Sequence, residues 1–317
     1  VIVSIGADFL GDWQGGGFDC SYAKGRIPDN GIMSRHFQFE SNMTLSGANA
    51  DVRVPLKLNE QKLVLIEIYK SVVGNKIQLK SDISLDKKTK KIVDALIREI
   101  KSAADGSVVI SGIKDEDYQS LVLEINEELN SYSFNPSKTI FTRSSDDEKI
   151  SKLISSMSNG DVGALIMSGV NPIYSLANSE EFFKGLVKVD MSICFSMKND
   201  ETALASKYVA ATNHYLESWG DFELVSGEFS LAQPVIRTLF DTKQFQELLL
   251  IWSGNKISLH DYIKNFWKAN ILGLDTWNKA LHDGIYYKTS SLGFTKRINK
   301  FKIQDKTFRI VDTNSPN

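Results

Sequence analysis

The chain has 317 residues, 37 of them basic and 39 acidic, for a formal charge of -2, and 42% are hydrophobic. That length allows two domains or one large α/β core. The charge balance supplies no long-range attraction to nucleic acid or anionic lipid, and the hydrophobic content excludes wholesale disorder. Cys20 and Cys194 are the only cysteines, too few for a four-cysteine zinc or iron–sulfur site or for a disulfide framework.

Val1 to Ile5 reads as a buried strand that ends at the turn Gly6-Ala7-Asp8. With no initiator methionine, basic leader or apolar segment of transmembrane length, the chain is expected to be a piece of a longer protein. Gly11 to Arg26, with Gly15-Gly16-Gly17, reads as a long surface loop whose spacing matches neither a P-loop nor a dinucleotide fingerprint. Residues 35–40 alternate polar and aromatic side chains, as a half-buried strand does. His36 has no second ligand at a recognisable spacing, so packing or hydrogen bonding is expected of it rather than metal coordination.

Residues 60–73, with Leu63, Ile66 and Val73, and residues 88–102, with Ile92, Leu96 and Ile100, have helical spacing. Three strand–loop–helix units follow. Ser107 to Ser111 precedes a helix near Asp115 to Asn130. Val162 to Met167 ends at Ser168-Gly169-Val170-Asn171-Pro172 before a helix over 179–187. Val189 to Phe195 ends before Lys198-Asn199-Asp200. This order predicts an α/β fold: parallel or mixed sheets flanked by helices in three layers, with ligand-facing loops at the carboxyl ends of the strands.

Residues 212–240 read as a large loop region, 242–252 as a helix, and 259–284 as helices whose aromatic residues pack. From Phe294 the chain turns basic and alternating, as in a short hairpin or detached edge. The expected organisation is an α/β region over 1–255, built from two interleaved subdomains (1–58 with 160–255, and 59–159). A mostly helical addition then covers 256–317, ending in the hairpin or tail.

Asp8, Asp51, Asp200, Glu201, Glu217 and Asp221 are acid/base candidates by residue type alone. Ser4, Ser46, Ser168 and Ser218 lack histidine–acid partners and a nucleophile elbow, which argues against a hydrolytic triad. No basic, aromatic-rich platform of convincing length suggests nucleic-acid binding.

Taken together, Gly6-Ala7-Asp8-Phe9-Leu10-Gly11, Ser41 to Arg53, Ser168 to Pro172 and Asp200 to Asp221 resemble the molybdopterin oxidoreductase family. Within it they are most similar to the large subunit of the quinol:cytochrome c oxidoreductases called alternative complex III. The resemblance covers most of residues 1–250. It implies that Gly6, Asp8, Gly169, Asn171, Asp200 and Glu201 lie at the cofactor-facing edge, and that Glu217 and Gly220 begin another cofactor-proximal loop. In active relatives these loops hold a molybdenum bis-molybdopterin guanine dinucleotide.

Where such relatives continue with Asn-x-Glu-Gly-Arg, this chain reads Leu224-Val225-Ser226-Gly227-Glu228, and only Gly227 matches. An anion in place of the arginine fork makes a pyrophosphate less welcome. The resemblance with these departures implies a non-catalytic scaffold that carries no cofactor or metal itself. Iron–sulfur clusters would lie elsewhere in the full protein. The implied setting is among the subunits of a membrane-associated quinol:cytochrome c oxidoreductase, on the periplasmic face of a bacterial cytoplasmic membrane. An active, cofactor-binding molybdopterin domain is the alternative.

Overall fold

In the computed structural model, residues 1–11, 13–14, 16–28, 31–141, 146–288 and 306–311 are described. Strand β1 (Ile2–Ile5) is followed by helix α1 (Phe18–Gly25), strand β2 (His36–Glu40), the short helix α2 (Leu45–Ala48) and strand β3 (Val52–Pro55). Helix α3 (Leu58–Val72), strand β4 (Gln78–Ser81), helix α4 (Lys87–Ala103), strand β5 (Val108–Ser111) and helix α5 (Glu116–Glu128) complete this run. A parallel sheet in the order β3-β2-β1-β5 lies at its centre.

Register explains the two faces of that sheet. Val3 and Ile5 pair with Phe37 and Phe39, and Val3 also with Val109. These side chains share one face and pack against Leu63, Leu96, Leu121 and Ile125 from the helices. Side chains alternate along a strand, so Ser4, His36, Gln38, Glu40 and Arg53 share the other face. All of these except Arg53 are buried there.

Local sequence sets the helix limits. Asp86 caps α4 by accepting from Lys88 N and Thr89 N at 2.7 and 3.0 Å. Thr89, Val93, Leu96 and Ile100 then form its buried stripe, one residue displaced from the expected Ile92 start. The expected loop over Gly11 to Arg26 contains α1, although Asp12 and Gly15 lie outside the described residues.

The second run contains helix α6 (Asp147–Asn159), strand β6 (Ala164–Ser168), the short helix α7 (Pro172–Ser175), helix α8 (Ser179–Leu186), strand β7 (Met191–Ser196), the short helix α9 (Glu201–Ala205) and strand β8 (Tyr208–Ala211). Strands β6-β7-β8 make a parallel sheet. Met167 and Cys194 on one of its faces pack with Ile154, Met157, Phe182 and Leu186. Burial raises the Cys194 thiol pKa, helped by nearby Asp200. Cys194 and the exposed Cys20 are both free.

The expected loop region over 212–240 holds a hairpin instead. Strands β9 (Gly220–Val225) and β10 (Glu228–Ala232) pair antiparallel. Gly227, at φ 81°, makes the tight turn, and a register shift follows at Glu228/Phe229. A left-handed glycine followed by a bulge is a favoured way to close such a hairpin. Helices α10 (Phe245–Trp252), α11 (Leu259–Asn270) and α12 (Trp277–Asp283) follow, and strand β11 (Ile285–Tyr287) pairs with β10.

Phe229, Ile263, Trp267 and Trp277 form the core of this last part. The helices expected as a separate addition after residue 255 therefore pack on β9 to β11. The C-terminal strand Thr307–Ile310 pairs parallel with β4; the rest of the expected basic hairpin or tail, residues 294–305 and 312–317, lies outside the described residues.

Two compact units result, Val1–Ser137 with Thr295–Asn317 and Lys138–Phe294. The expected pairing of 1–58 with 160–255 is not how the chain divides. Pairing of β5 with β1 keeps residues 59–137 in the same unit as 1–58.

Candidate functional site

In the first unit, β1 leads through β2 to β3 on one side and β5 lies on its other side. The chain changes direction between β1 and β5, the position at which open α/β sheets bind ligands at their carboxyl strand ends. Gly6 and Gly112 meet there. Gly112 N donates to Ile5 O at 2.8 Å, and a Cβ on Gly112 would overlap Gly6 O. An open cleft of about 520 Å³ beside them is lined by Trp13, Ser111, Ile113, Lys114, Asp115 and Gln119, among others.

Both signs of charge line this cleft, Lys114 beside Asp115 and Glu116. Helix α5 begins with Asp115, Glu116 and Asp117 in succession, and the Asp115 carboxylate accepts from Asp117 N at 3.1 Å. Asp115 and Glu116 complement the helix dipole at the cleft, where a phosphate would otherwise be favoured, while Asp117 pairs with Lys306.

Asp8, expected at the cofactor edge, faces inward. Its Oδ1 accepts from Ser46 N at 2.9 Å and Ser46 Oγ at 2.8 Å, while Leu10 N donates to Ser46 Oγ at 2.9 Å. Gly6, at φ 69°, supplies the left-handed turn into this arrangement.

At the end of β2 stands Glu40, which sequence reasoning did not single out. In a dinucleotide fold, an acid following β1 in the sequence holds the ribose. Here Glu40 is 2% exposed and accepts from Arg53 Nε at 2.5 Å, Thr44 Oγ1 at 2.6 Å, Thr44 N at 3.3 Å and Gln38 Nε2 at 3.1 Å. Burial alone would raise its pKa. The hydrogen bonds from Thr44, Arg53 and Gln38 outweigh it and hold the carboxyl below its usual range. Gly47 lies so close that a Cβ there would overlap the carboxylate.

Gln38 extends the network to His36. Its Nε2 faces two acceptors, Ala7 O and Glu40 Oε2, both at 3.1 Å. Gln38 Oε1 therefore points at His36 Nε2, 3.1 Å away, and that nitrogen carries the hydrogen. Tyr22 OH, 3.2 Å from Nδ1 and 2.9 Å from Asn49 O, covers the other side. Burial lowers the His36 pKa, against the opposing effect of its hydrogen bond to Gln38 Oε1. Thus His36 packs and hydrogen-bonds, as its sequence context suggested.

The six expected residues of the second unit fall into two arrangements. After β6 and β7, Asn171 Nδ2 donates to Glu201 Oε2 at 2.7 Å, and Thr202 Oγ1 donates to Asn171 Oδ1 at 2.7 Å. The bond from Asn171 holds the Glu201 carboxyl below its usual pKa. Asp200 caps α9 through Ala203 N at 2.9 Å and accepts from Ser196 Oγ at 3.2 Å. Gly169, at φ 65°, turns the chain out of β6. Sequence placed these groups near one another; the closed Asn171–Glu201–Thr202 set is what the structure adds.

Glu217 and Gly220 form the other arrangement. Glu217 accepts from His214 N and Leu239 N, both at 3.1 Å, and so fastens residues 214–217 to the 233–244 loop. Gly220 starts β9 and faces Phe222 and Ala232. Asp221 accepts from the buried Trp267 Nε1 at 2.9 Å. Glu228 pairs with Lys138 at 3.0 Å. Among the described residues, no group of three or more His, Cys, Asp or Glu side chains converges to hold a metal ion.

No family model matches the sequence. The menaquinone reductase, molybdopterin-binding-like subunit of Nitratidesulfovibrio vulgaris is 33% identical over 95 residues, 29% of this chain and 14% of that protein. Acetylene hydratase from Pelobacter acetylenicus superposes with a TM-score of 0.58 at 13% identity, over 90% of this chain and 52% of that one. The chain has a molybdopterin-oxidoreductase fold. It spans about half the length of the solved molybdopterin-fold chain it matches.

A pterin dinucleotide would need donors for its pyrophosphate and free acceptors for its base and sugar. At the carboxyl strand ends of the first unit, Asp8 and Glu40 are engaged by the protein itself and α5 begins with acids; in the second unit, taken by itself, Asn171, Asp200, Glu201 and Glu217 are each hydrogen-bonded within the protein. These residues do not fit that group.

Proposed function

We propose that this chain is a molybdopterin-oxidoreductase-like scaffold that neither binds a molybdenum cofactor nor catalyses, and that it serves within a membrane-associated respiratory complex oxidising or reducing a quinone. A quinol:cytochrome c oxidoreductase on the periplasmic face of the membrane is the specific assembly we favour. The internal capture of Glu40 by Arg53, Thr44 and Gln38 carries the reading, because it fills with protein the place where a nucleotide sugar would bind. The relative described as a menaquinone reductase subunit, molybdopterin-binding-like, supports the setting. No helix among the described residues is long and apolar enough to cross a membrane.

Guanosine diphosphate at 1 mM tests the closed site by thermal denaturation. The reading predicts no shift in Tm. A binding site with a dissociation constant near 10 μM would stabilise by about 2.7 kcal/mol. A Tm rise of several degrees that Glu40→Gln abolishes would favour the active, cofactor-binding alternative.

A further inference from the structure

In the first unit, β4 stands apart from the central sheet. Among the described residues its one strand partner is Thr307–Ile310, which lies parallel to it with Phe308 beside Leu79 and Arg309 beside Lys80. Gln78 N donates to Lys306 O at 2.9 Å, and Asp82 N donates to Ile310 O at 3.2 Å. A two-stranded sheet is marginal by itself, and parallel pairing is the weaker kind. Two alternate side chains supply the apolar hold. Phe308 and Ile310 are buried, and the Phe308 ring packs T-shaped against Tyr118 of α5 with centroids 5.1 Å apart. Lys62 of α3 places its Nζ over the same tyrosine ring, 4.8 Å from the centroid.

The remaining contacts are weak or opposed. Lys306 pairs with Asp117, and Asn59 Nδ2 donates to Val311 O at 2.7 Å, both at the surface. Exposed ion pairs contribute little. Arg309 and Lys80 are exposed neighbours in the register, so two like charges stand side by side on the outer face. Like charges across a strand pair oppose the pairing. Strand addition recognises extended segments through this combination: main-chain bonds hold the strand, and pockets at alternate positions select its side chains.

We propose that the β4 edge, beside α3 and α5, is a strand-docking site that Thr307–Ile310 occupies as a releasable clasp. The clasp opens while the rest of the first unit stays folded, and the vacated edge takes the same segment when it is offered from outside. Phe308 and Ile310 are its anchors, and the Lys80–Arg309 pair keeps it from closing tightly. The inference is independent of the scaffold reading.

The test uses the full chain and begins with amide exchange across a urea series. The Gln78 and Asp82 amides bond to the clasp, whereas those of Gly6 and Gly112 bond across the central sheet. The first pair should exchange at least ~100-fold faster than the second, with little dependence on urea. Arg309→Glu places opposite charges side by side and should slow exchange at Gln78 and Asp82 by about 3-fold, the scale of one cross-strand charge pair.

Binding of a fluorescent peptide spanning residues 304–313, read by polarisation, is the second measurement. The double variant Phe308→Ser, Ile310→Ser withdraws both anchors. It should stay folded and bind the peptide at least ~10-fold more tightly than wild type, whose own strand competes at high effective concentration. A peptide carrying the same two substitutions should not bind. Unfolding of the first unit in the double variant would overturn the proposal, because the strand would then be part of the core. Equal exchange and urea dependence at all four amides would overturn it too, as would a folded double variant that ignores the peptide.

Discussion

Replacing Glu40 by glutamine keeps the shape of the side chain and removes the charge that gathers Arg53, Thr44 and Gln38. A broken, fully buried ion pair costs about 3–5 kcal/mol. Glu40 is 2% exposed but Arg53 is 26% exposed, so water relieves part of that cost. We expect about 2 kcal/mol. At a urea slope of ~2 kcal/mol per molar, the transition of the first unit should fall by about 1 M.

Amide exchange in β1 and β2 peptides across a urea series reads this unit by itself. Arg53→Met in the Glu40→Gln background should cost less than in wild type, because the partner charge has already gone. The pH dependence is a second readout. The Glu40 pKa is lower in the fold than its ordinary 4.5. Its contribution is therefore full above 4.5 and is lost as pH falls through the folded value. Wild type and Glu40→Gln should converge in acid. A loss below 0.5 kcal/mol at pH 7, or a gap that persists unchanged in acid, would refute the account of this network.

Gly112→Ala should destabilise the first unit by about 2 kcal/mol or more, since the new Cβ meets backbone at Gly6 that cannot rotate aside; urea unfolding checks it. Trp267→Phe, which removes the bond to Asp221 and leaves a void in a fully buried site, should cost the second unit about 1–3 kcal/mol in the same assay. Burial lowers the His36 pKa below its ordinary 6.5. Its stabilising contribution is thus full above 6.5 and declines as pH drops further, and His36→Gln should flatten that limb of the pH–stability curve. Glu217→Ala should accelerate amide exchange at Leu239 by about tenfold with little change in global stability, because the two bonds it loses, from Leu239 N and His214 N, lie at the surface or partly buried.

Much of the central architecture was legible from periodicity. The apolar runs of β1, β5, β6 and β7 and the helical stripes of α3, α4, α5 and α8 announce themselves within a few residues. Elements that lean on distant partners did not. Strand β4 pairs with Thr307–Ile310, more than 220 residues away, and neither segment has a strong apolar pattern. Helix α6 was missed although Ile150, Leu153, Ile154 and Met157 stand at helical spacing between its Asp146 cap and terminal Gly160. The β9–β10 hairpin was hidden by reading Gly220 to Glu228 as a cofactor loop.

At the candidate site, residue types were legible and their partners were not. Asp8 finds Ser46 and Asn171 finds Glu201 across 38 and 30 residues of sequence. The Glu40 network was within reach. His36, Gln38 and Glu40 share one face of a strand by simple alternation, and an acid ending the second strand of such a sheet is a known position for a nucleotide contact. What alternation cannot reveal is that Arg53, at the neighbouring register, already occupies that acid.

Molybdenum, tungsten and pterin content of the full-length native protein, measured per polypeptide, tests the central claim most directly. The scaffold account predicts neither metal nor pterin above trace level. One metal with two pterin guanine dinucleotides per chain would contradict it.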